Sequence, residues 1–378
     1  MLRAEDISEA VDAGVITESQ ARALEAFART RRQARVFAAG REERFKLLGG
    51  FNDFFIALGV FLLGIGFQFS PGAMFGSVGV AATVLKAVNY NVATIFMMGV
   101  LIFWGLAELL TGRLKLVAPS IVIVGFLASL AFAGASMFFP LSPSKTIISF
   151  LAAVAVVALH YKRFGLPFSL FVLALTGVGL ALALVNAVAT TNFAMSPQAA
   201  GPVMRWAALL LGLVVFAWAM SFDTSDPERT SRRADCGFWL HLIAAPLIVH
   251  PLAGPLINHP LMPDYSASAP VVTGLTIVLV LALVSALSVV ALIVDRRALL
   301  VAGLGYLGSA LGYTISKWSG VSGALAVLPT LMFLGVLIIT LGIGWRQIRT
   351  ALMTALPGID WKRPLPPYGP IPNYGIVA

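Results

Sequence analysis

From Phe51 to Trp345 the chain is a succession of long apolar runs broken by short polar interruptions. A membrane-spanning helix needs about 20 consecutive, mostly apolar residues. The pattern predicts ten such helices, near 52–70, 89–110, 117–139, 145–161, 166–186, 203–222, 237–257, 270–294, 298–316 and 322–345. Residues 71–88 break the rhythm, because Gly72, Gly76 and Gly79 interrupt them and Lys86, Asn89 and Asn91 crowd their end. That stretch reads as an interfacial or re-entrant piece.

The ends follow other patterns. Ile7, Ala10, Val11 and Val15 fall on one helical stripe, Gly14 is placed to end that helix, and Thr17-Glu-Ser-Gln20 fits a capping box. A second helix is predicted from about Glu18 to Phe37, with Ala21, Leu24 and Phe27 early and Arg29, Arg31, Arg32 and Arg35 later. Residues 1–48 therefore read as a cytosolic helical hairpin, 49–346 as the transmembrane bundle, and 347–378 as a cytosolic proline-rich tail. Pro364, Pro366, Pro367, Pro370 and Pro372 make that tail extended and semi-rigid. A disordered end is expected there rather than a ligand for an aromatic groove.

Composition agrees with a bilayer as solvent. Of 378 residues, 59% are hydrophobic and 11% charged, and the mean hydropathy is +0.91, more apolar surface than one soluble core hides. The fold class is all-α, a polytopic integral membrane helix bundle. Short cytoplasmic loops collect Lys and Arg. With ten spans and both termini cytoplasmic, only Lys86, Lys145, Arg205 and Lys317 of the 26 basic residues fall outside, leaving 22 inside. The net charge of +9 is thus explained by topology and by anionic headgroups, each nearby basic residue contributing about 1 kcal/mol. Nucleic-acid binding is not needed. The single cysteine, Cys236, excludes an intrachain disulfide framework. No cleavable signal peptide is visible, no internal repeat is evident, and the bacterial inner (plasma) membrane is the expected location.

Candidate chemistry concentrates in Trp239–His259, WLHLIAAPLIVHPLAGPLINH, which carries three of the four histidines. Nine residues separate His241 from His250, about 900° of helical rotation, so the two face opposite ways. No metal-ligand spacing, cofactor motif or catalytic signature occurs, and no such residue is assigned. Pro246, Pro251 and Pro255 each lack an N–H, which deprives the carbonyls of Leu242, Leu247 and Pro251 of helical partners. A proline-broken span lining a substrate or ion path is one reading. The other has His241 and His250 bonding those carbonyls and fixing the kink. His259, beside Pro260 and near Asp264, reads as loop. Glu108 is the best acidic candidate, expected to pair locally with Arg113. Asn52 and Asp53 read as an N-terminal cap, Asn186 as a cap or turn, and Lys317 as snorkelling outward.

In the loop before span 7, Ser225 with Glu228 fits a capping box and Pro227 a first-turn position, predicting a short surface helix ordered by ion pairs. Asp235, Arg232 and Arg233 are its candidate cytoplasmic gate. Gly308 and Gly312, with Ser316 on the same stripe, predict close contact between span 9 and another helix.

The stretch Ile7-Ser-Glu-Ala-Val-Asp-Ala-Gly-Val-Ile-Thr-Glu-Ser-Gln-Ala-Arg-Ala-Leu-Glu25 resembles the N-terminal segment of DUF2157-type bacterial membrane proteins. Ser225–Arg229 with Arg232–His241 is similar to segments of uncharacterised proteobacterial polytopic proteins. Neither resemblance implies a catalytic or binding residue. The expected partners are the lipid bilayer, a small solute or ion, and a protein at the cytosolic ends. The leading functional expectation is a permease-like transporter of a small solute or ion. The alternative is a non-transporting scaffold or sensor acting through its ends, and an intramembrane enzyme ranks third.

Overall fold

The computed structural model describes residues 11, 13–21, 23, 51–75, 82–139, 144–227, 229, 231–257, 274–319, 323–358 and 365–366. Most of the expected hairpin, His259, Asp264 and most of the tail lie outside them. Ten α-helices follow one another: α1 Phe51–Phe75, α2 Ala82–Leu106, α3 Val117–Phe138, α4 Lys145–Phe164, α5 Pro167–Ala187, α6 Pro197–Ser225, α7 Arg232–Ile257, α8 Gly274–Val294, α9 Ala298–Ser319 and α10 Gly323–Ala355. Among the described residues, nine of these helices are long and apolar enough to cross a membrane, against the ten spans expected; α9, of 22 residues, is not among the nine. The chain is an all-α, multi-pass membrane protein.

The helix ends have local causes. Pro167 and Pro197 stand in the first turns of α5 and α6, where a missing N–H costs nothing, and Ser196 Oγ accepts from Ala199 N at 3.3 Å. Gly165 closes α4 at φ 61°, a left-handed position that Gly adopts without strain. Asp295 closes α8 at φ 59°, and the Arg296 N–H bonds back to the Ala291 carbonyl at 2.9 Å, as in a Schellman ending. Helices α2 and α5 end differently, in π-helical turns Ala107–Arg113 and Val188–Asn192, each followed by a non-glycine residue at positive φ, Lys115 and Ala194. Near the amino terminus, Thr17 N donates to Gln20 Oε1 at 2.9 Å and Gln20 N to Thr17 Oγ1 at 3.3 Å, while Gly14 has φ 68°. The capping box and the glycine stop therefore form as the sequence predicts.

Several boundaries move. Residues 71–75 continue α1 and 82–88 begin α2, so no separate re-entrant helix exists among the described residues of that stretch. Asn52 and Asp53 sit inside the first turn of α1 rather than capping it. Asn186 lies within α5, its carbonyl accepting from Thr190. Helix α10 runs ten residues past Trp345, to Ala355, because the helical ladder continues through Arg346 and Arg349. The largest revision concerns α7, which stays α-helical from Arg232 through Pro246, Pro251 and Pro255 to Ile257. It is not unwound, since neighbouring helices on several sides hold a span together despite missing N–H groups.

Two helices are central. Helix α3 packs on α1, α2, α4 and α5, and α7 packs on α5, α6, α8 and α9, the same relation shifted by four helices. Half of the α3 window and 56% of the α7 window is buried, against 11% for α1 and 6% for α10. The peripheral helices turn Leu62, Leu210, Val214, Met332 and Ile343 outward, the apolar surface that lipid covers. Within α9, Gly308 lies against Leu334 and Gly312 against Thr330, so the small-residue stripe meets α10 of the same chain.

Candidate functional site

The polar side chains inside this bundle gather at one end. There α2 and α4 are joined by Arg163, whose Nε and Nη2 donate to the two Glu108 oxygens at 3.1 and 3.0 Å. This corrects the local partner expected for Glu108: Arg163 comes from another helix, because the π-helical turn carries Glu108 towards α4 rather than back along its own axis. Helix α6 is joined to the turn between α8 and α9 by a second fork, Arg296 Nη2 to Asp223 Oδ1 at 2.6 Å and Nε to Oδ2 at 3.2 Å. The carboxyl-terminal ends of α2, α4, α6 and α8 therefore share one end of the bundle, the end where the sequence concentrates its basic residues. Alternating spans require this.

The second fork is sealed. Asp223 and Arg296 are 2% and 1% exposed, and His241, fully buried, donates from Nε2 to Asp223 Oδ2 at 2.9 Å. Arg296 Nη2 also donates to the Ala234 carbonyl at 2.7 Å, and the Phe216 ring stands edge-on to His241, with centroids 5.1 Å apart. Gly237 makes room for this, since a Cβ there would overlap Asp223 Oδ1. His241 Nδ1 has no hydrogen-bond partner among the described residues.

Around this cluster the loops before α7 and after α8 interlock. Arg229, at φ 52°, donates to the Val294 carbonyl at 3.0 Å, to the Asp295 carbonyl at 2.8 Å and to the Asp295 carboxylate at 3.3 Å. Trp345 Nε1 donates to Asp295 Oδ1 at 2.7 Å, and the Arg297 guanidinium stands over the Trp345 ring at 5.4 Å. Arg349 donates to the Leu292 carbonyl at 2.9 Å and to the Pro366 carbonyl at 2.7 Å. Leu365 and Pro366 are buried, so part of the proline-rich tail is packed where a disordered end was expected. The loop before α7 is tied down by ion pairs, but with partners in the α8–α9 turn. The predicted surface helix does not form among its described residues: Ser225 ends α6, and the Asp226 carboxylate accepts from Ser231 N at 2.9 Å and from Ser231 Oγ at 2.6 Å.

The other predicted residues separate. His250 pairs with the Tyr306 hydroxyl of α9, on the opposite side of α7 from His241, as their spacing demands. Both histidines use side-chain partners, whereas the freed proline carbonyls were one expectation. Pro246 is exposed on the outer surface and Pro251 is buried. Sequence reasoning passed over His160, fully buried, with Nδ1 2.9 Å from Ser169 Oγ and its ring packed on Trp104 and Phe164.

Arg232 and Asp235, from the first turn of α7, line a cavity of about 480 Å³ at the same end. Its other walls are the π-helical turn after α2, the start of α3 and the α4–α5 turn. Lys115, Arg163 and Arg232 line it together with Asp235, and Phe164, Phe168 and Trp239 are its aromatic lining. Phe168 and Trp239 meet edge to face at 4.7 Å. Arg233 is exposed and is not part of the lining.

A signal for this arrangement is present in the sequence. Val156-Val-Ala-Leu159 is repeated as Val289-Val-Ala-Leu292, and each is followed four residues later by an arginine, Arg163 and Arg296. Each arginine grips a carboxylate on the helix two before its own, Glu108 or Asp223. Together with the shifted packing of α3 and α7, this makes α1–α4 and α5–α8, the first and second unit, alike in these contacts. Comparison with known proteins adds no relative: no family model, curated protein or solved structure matches the chain.

Proposed function

We propose that this protein is a permease-like carrier of a small solute or ion in the bacterial inner membrane, with the cavity at the basic end as its cytoplasmic vestibule. The observation that carries the reading is the cavity's position. It is walled by α2, α3 and α4 from the first unit and by α5 and α7 from the second, and transporters built from paired repeats hold their sites where the repeats meet. Arg232 and Asp235 stand in its wall as gate residues, and the sealed Asp223–His241–Arg296 cluster is the fixed point about which the first turns of α7 move. Kinship with DUF2157-type membrane proteins, carried by Ile7–Glu25, belongs to the same proposal and adds no activity.

The scaffold reading draws less support, because the Pro366 carbonyl is bound by Arg349 and Leu365 is buried, so this part of the tail is already engaged. Transport is tested in proteoliposomes on a solid-supported membrane, presenting a panel of small anions, cations and zwitterions. Solute-dependent current that disappears in Arg232→Gln supports a carrier. Absence of current across the panel, with the protein folded and oriented, refutes it.

A further inference from the structure

The chain contains its own comparison between a structural ion pair and an available one. In the second unit the Asp223–Arg296 fork is closed off by His241, the Ala234 carbonyl and the tight approach at Gly237. In the first unit the corresponding Glu108–Arg163 fork has no such cover: Arg163 is 59% and Glu108 39% exposed, and Arg163 stands in the cavity wall. Two further cations, Lys115 and Arg232, line the same space, and neither has a carboxylate partner among the described residues. Asp235 is the one acidic residue in the lining.

From this we infer that the cavity binds a phosphate group carried on an apolar body. Three cations stand against Asp235 and the Glu108 carboxylate that Arg163 already binds, a surplus of one positive charge, which the first negative charge of a phosphate group balances. The guanidinium fork of Arg232 matches phosphate oxygens two at a time, while Lys115 and the edge of Arg163 that Glu108 leaves uncovered add positive charge. The aromatic lining, Phe164, Phe168 and Trp239, takes apolar surface, and a volume of about 480 Å³ lies within the range of small-molecule sites. Lys115 reaches this position from a left-handed backbone, φ 55°, which the π-helical turn imposes on a residue type that rarely adopts it. The same chemistry is offered by a phospholipid headgroup entering from the bilayer and by a soluble phosphate ester entering from the aqueous side.

This inference deepens the permease reading and rests on the same cavity, so its test measures binding and not flux. Full-length protein in phosphatidylcholine nanodiscs is titrated with two radiolabelled probes, phosphatidic acid and glycerol 3-phosphate, each alone and in competition. Saturable binding is expected, weakened about tenfold by Arg163→Gln and about tenfold by Arg232→Gln, one charge-assisted bond being lost in each. Arg163→Lys, which keeps the charge and loses the fork, falls between, and Arg233→Gln, outside the cavity, binds as wild type. Phosphatidic acid bound without competition from glycerol 3-phosphate identifies a lipid ligand; the reverse identifies a soluble one. Should Arg163→Gln fail to fold, Arg232→Gln and Arg163→Lys carry the comparison. No saturable binding of either probe overturns the inference, as does undiminished binding in a folded Arg163→Gln/Arg232→Gln variant. Binding without flux overturns the carrier reading alone, and flux without phosphate binding overturns this inference alone.

Discussion

Replacing Arg296 with Leu and Arg163 with Leu removes the same kind of fork from two environments, and the two losses should differ severalfold. At Arg296 the substitution leaves the Asp223 carboxylate 2% exposed with only His241 beside it, and strips a donor from the Ala234 carbonyl. Removing one partner of a buried, hydrogen-bonded pair costs about 3–5 kcal/mol. At Arg163 the abandoned Glu108 is 39% exposed and regains solvent, so the cost is about 1 kcal/mol or less. The assay is unfolding by SDS titration in mixed micelles, followed by helical circular dichroism, with each variant's midpoint and slope compared with wild type. Adding Asp223→Asn to an Arg296→Met variant should restore much of the loss, because the amide keeps an acceptor for His241 and no unpaired charge remains. The reasoning fails if Arg296→Leu falls within about 1 kcal/mol of wild type, or if Arg163→Leu is equally destabilising.

Three other outcomes follow from particular contacts. Gly212→Ala would set a Cβ 2.9 Å from Leu247 Cβ and 3.0 Å from the Leu247 carbonyl carbon, so α6 must move off α7 and the thermal midpoint should fall by the equivalent of about 1–3 kcal/mol. Ending the chain after residue 358 removes the Pro366 carbonyl from the buried Arg349 and should destabilise the bundle by about 1–3 kcal/mol; an unchanged midpoint would mean that the tail contributes nothing. Cys236 is 5% exposed and should resist maleimide in the folded protein. In a Cys236→Ser background, Arg113→Cys and Phe193→Cys, which follow α2 and α5, should label from opposite sides of the membrane, and labelling of both from one side would refute the alternating topology.

The number and order of helices were legible because each span is apolar for its full length, and that signal is local. Where α7 was concerned the same local reasoning misled: three prolines predicted a broken span, yet packing on both flanks holds the helix through them. The ionic cluster was not legible one segment at a time. Nothing in the segment around Asp223 marks it as buried, and only its meeting with Arg296, 73 residues along the chain, reveals the cluster. Glu108 was singled out as an acidic candidate with a local partner, but its partner lies 55 residues away on α4. Arg232 and Asp235 were read as a gate from their place at the head of span 7, and they do line the cavity; Arg233, next to them, turns outward because a helix separates neighbours by about 100°. The repeated VVAL tetrapeptide, with an arginine four residues on, was the long-range clue to the paired forks.

The sealed fork also has a consequence for how the protein is made. When α6 leaves the ribosome its Asp223 has no guanidinium to meet, and His241 arrives 18 residues later, but Arg296 only after 73. Until then the carboxylate is held at the basic end by water, and α6 and α7 cannot close fully around it. Completion of the α8–α9 turn is therefore the event that locks the second unit. A nascent chain halted before residue 296 would carry Asp223 without the guanidinium that compensates it in the finished bundle.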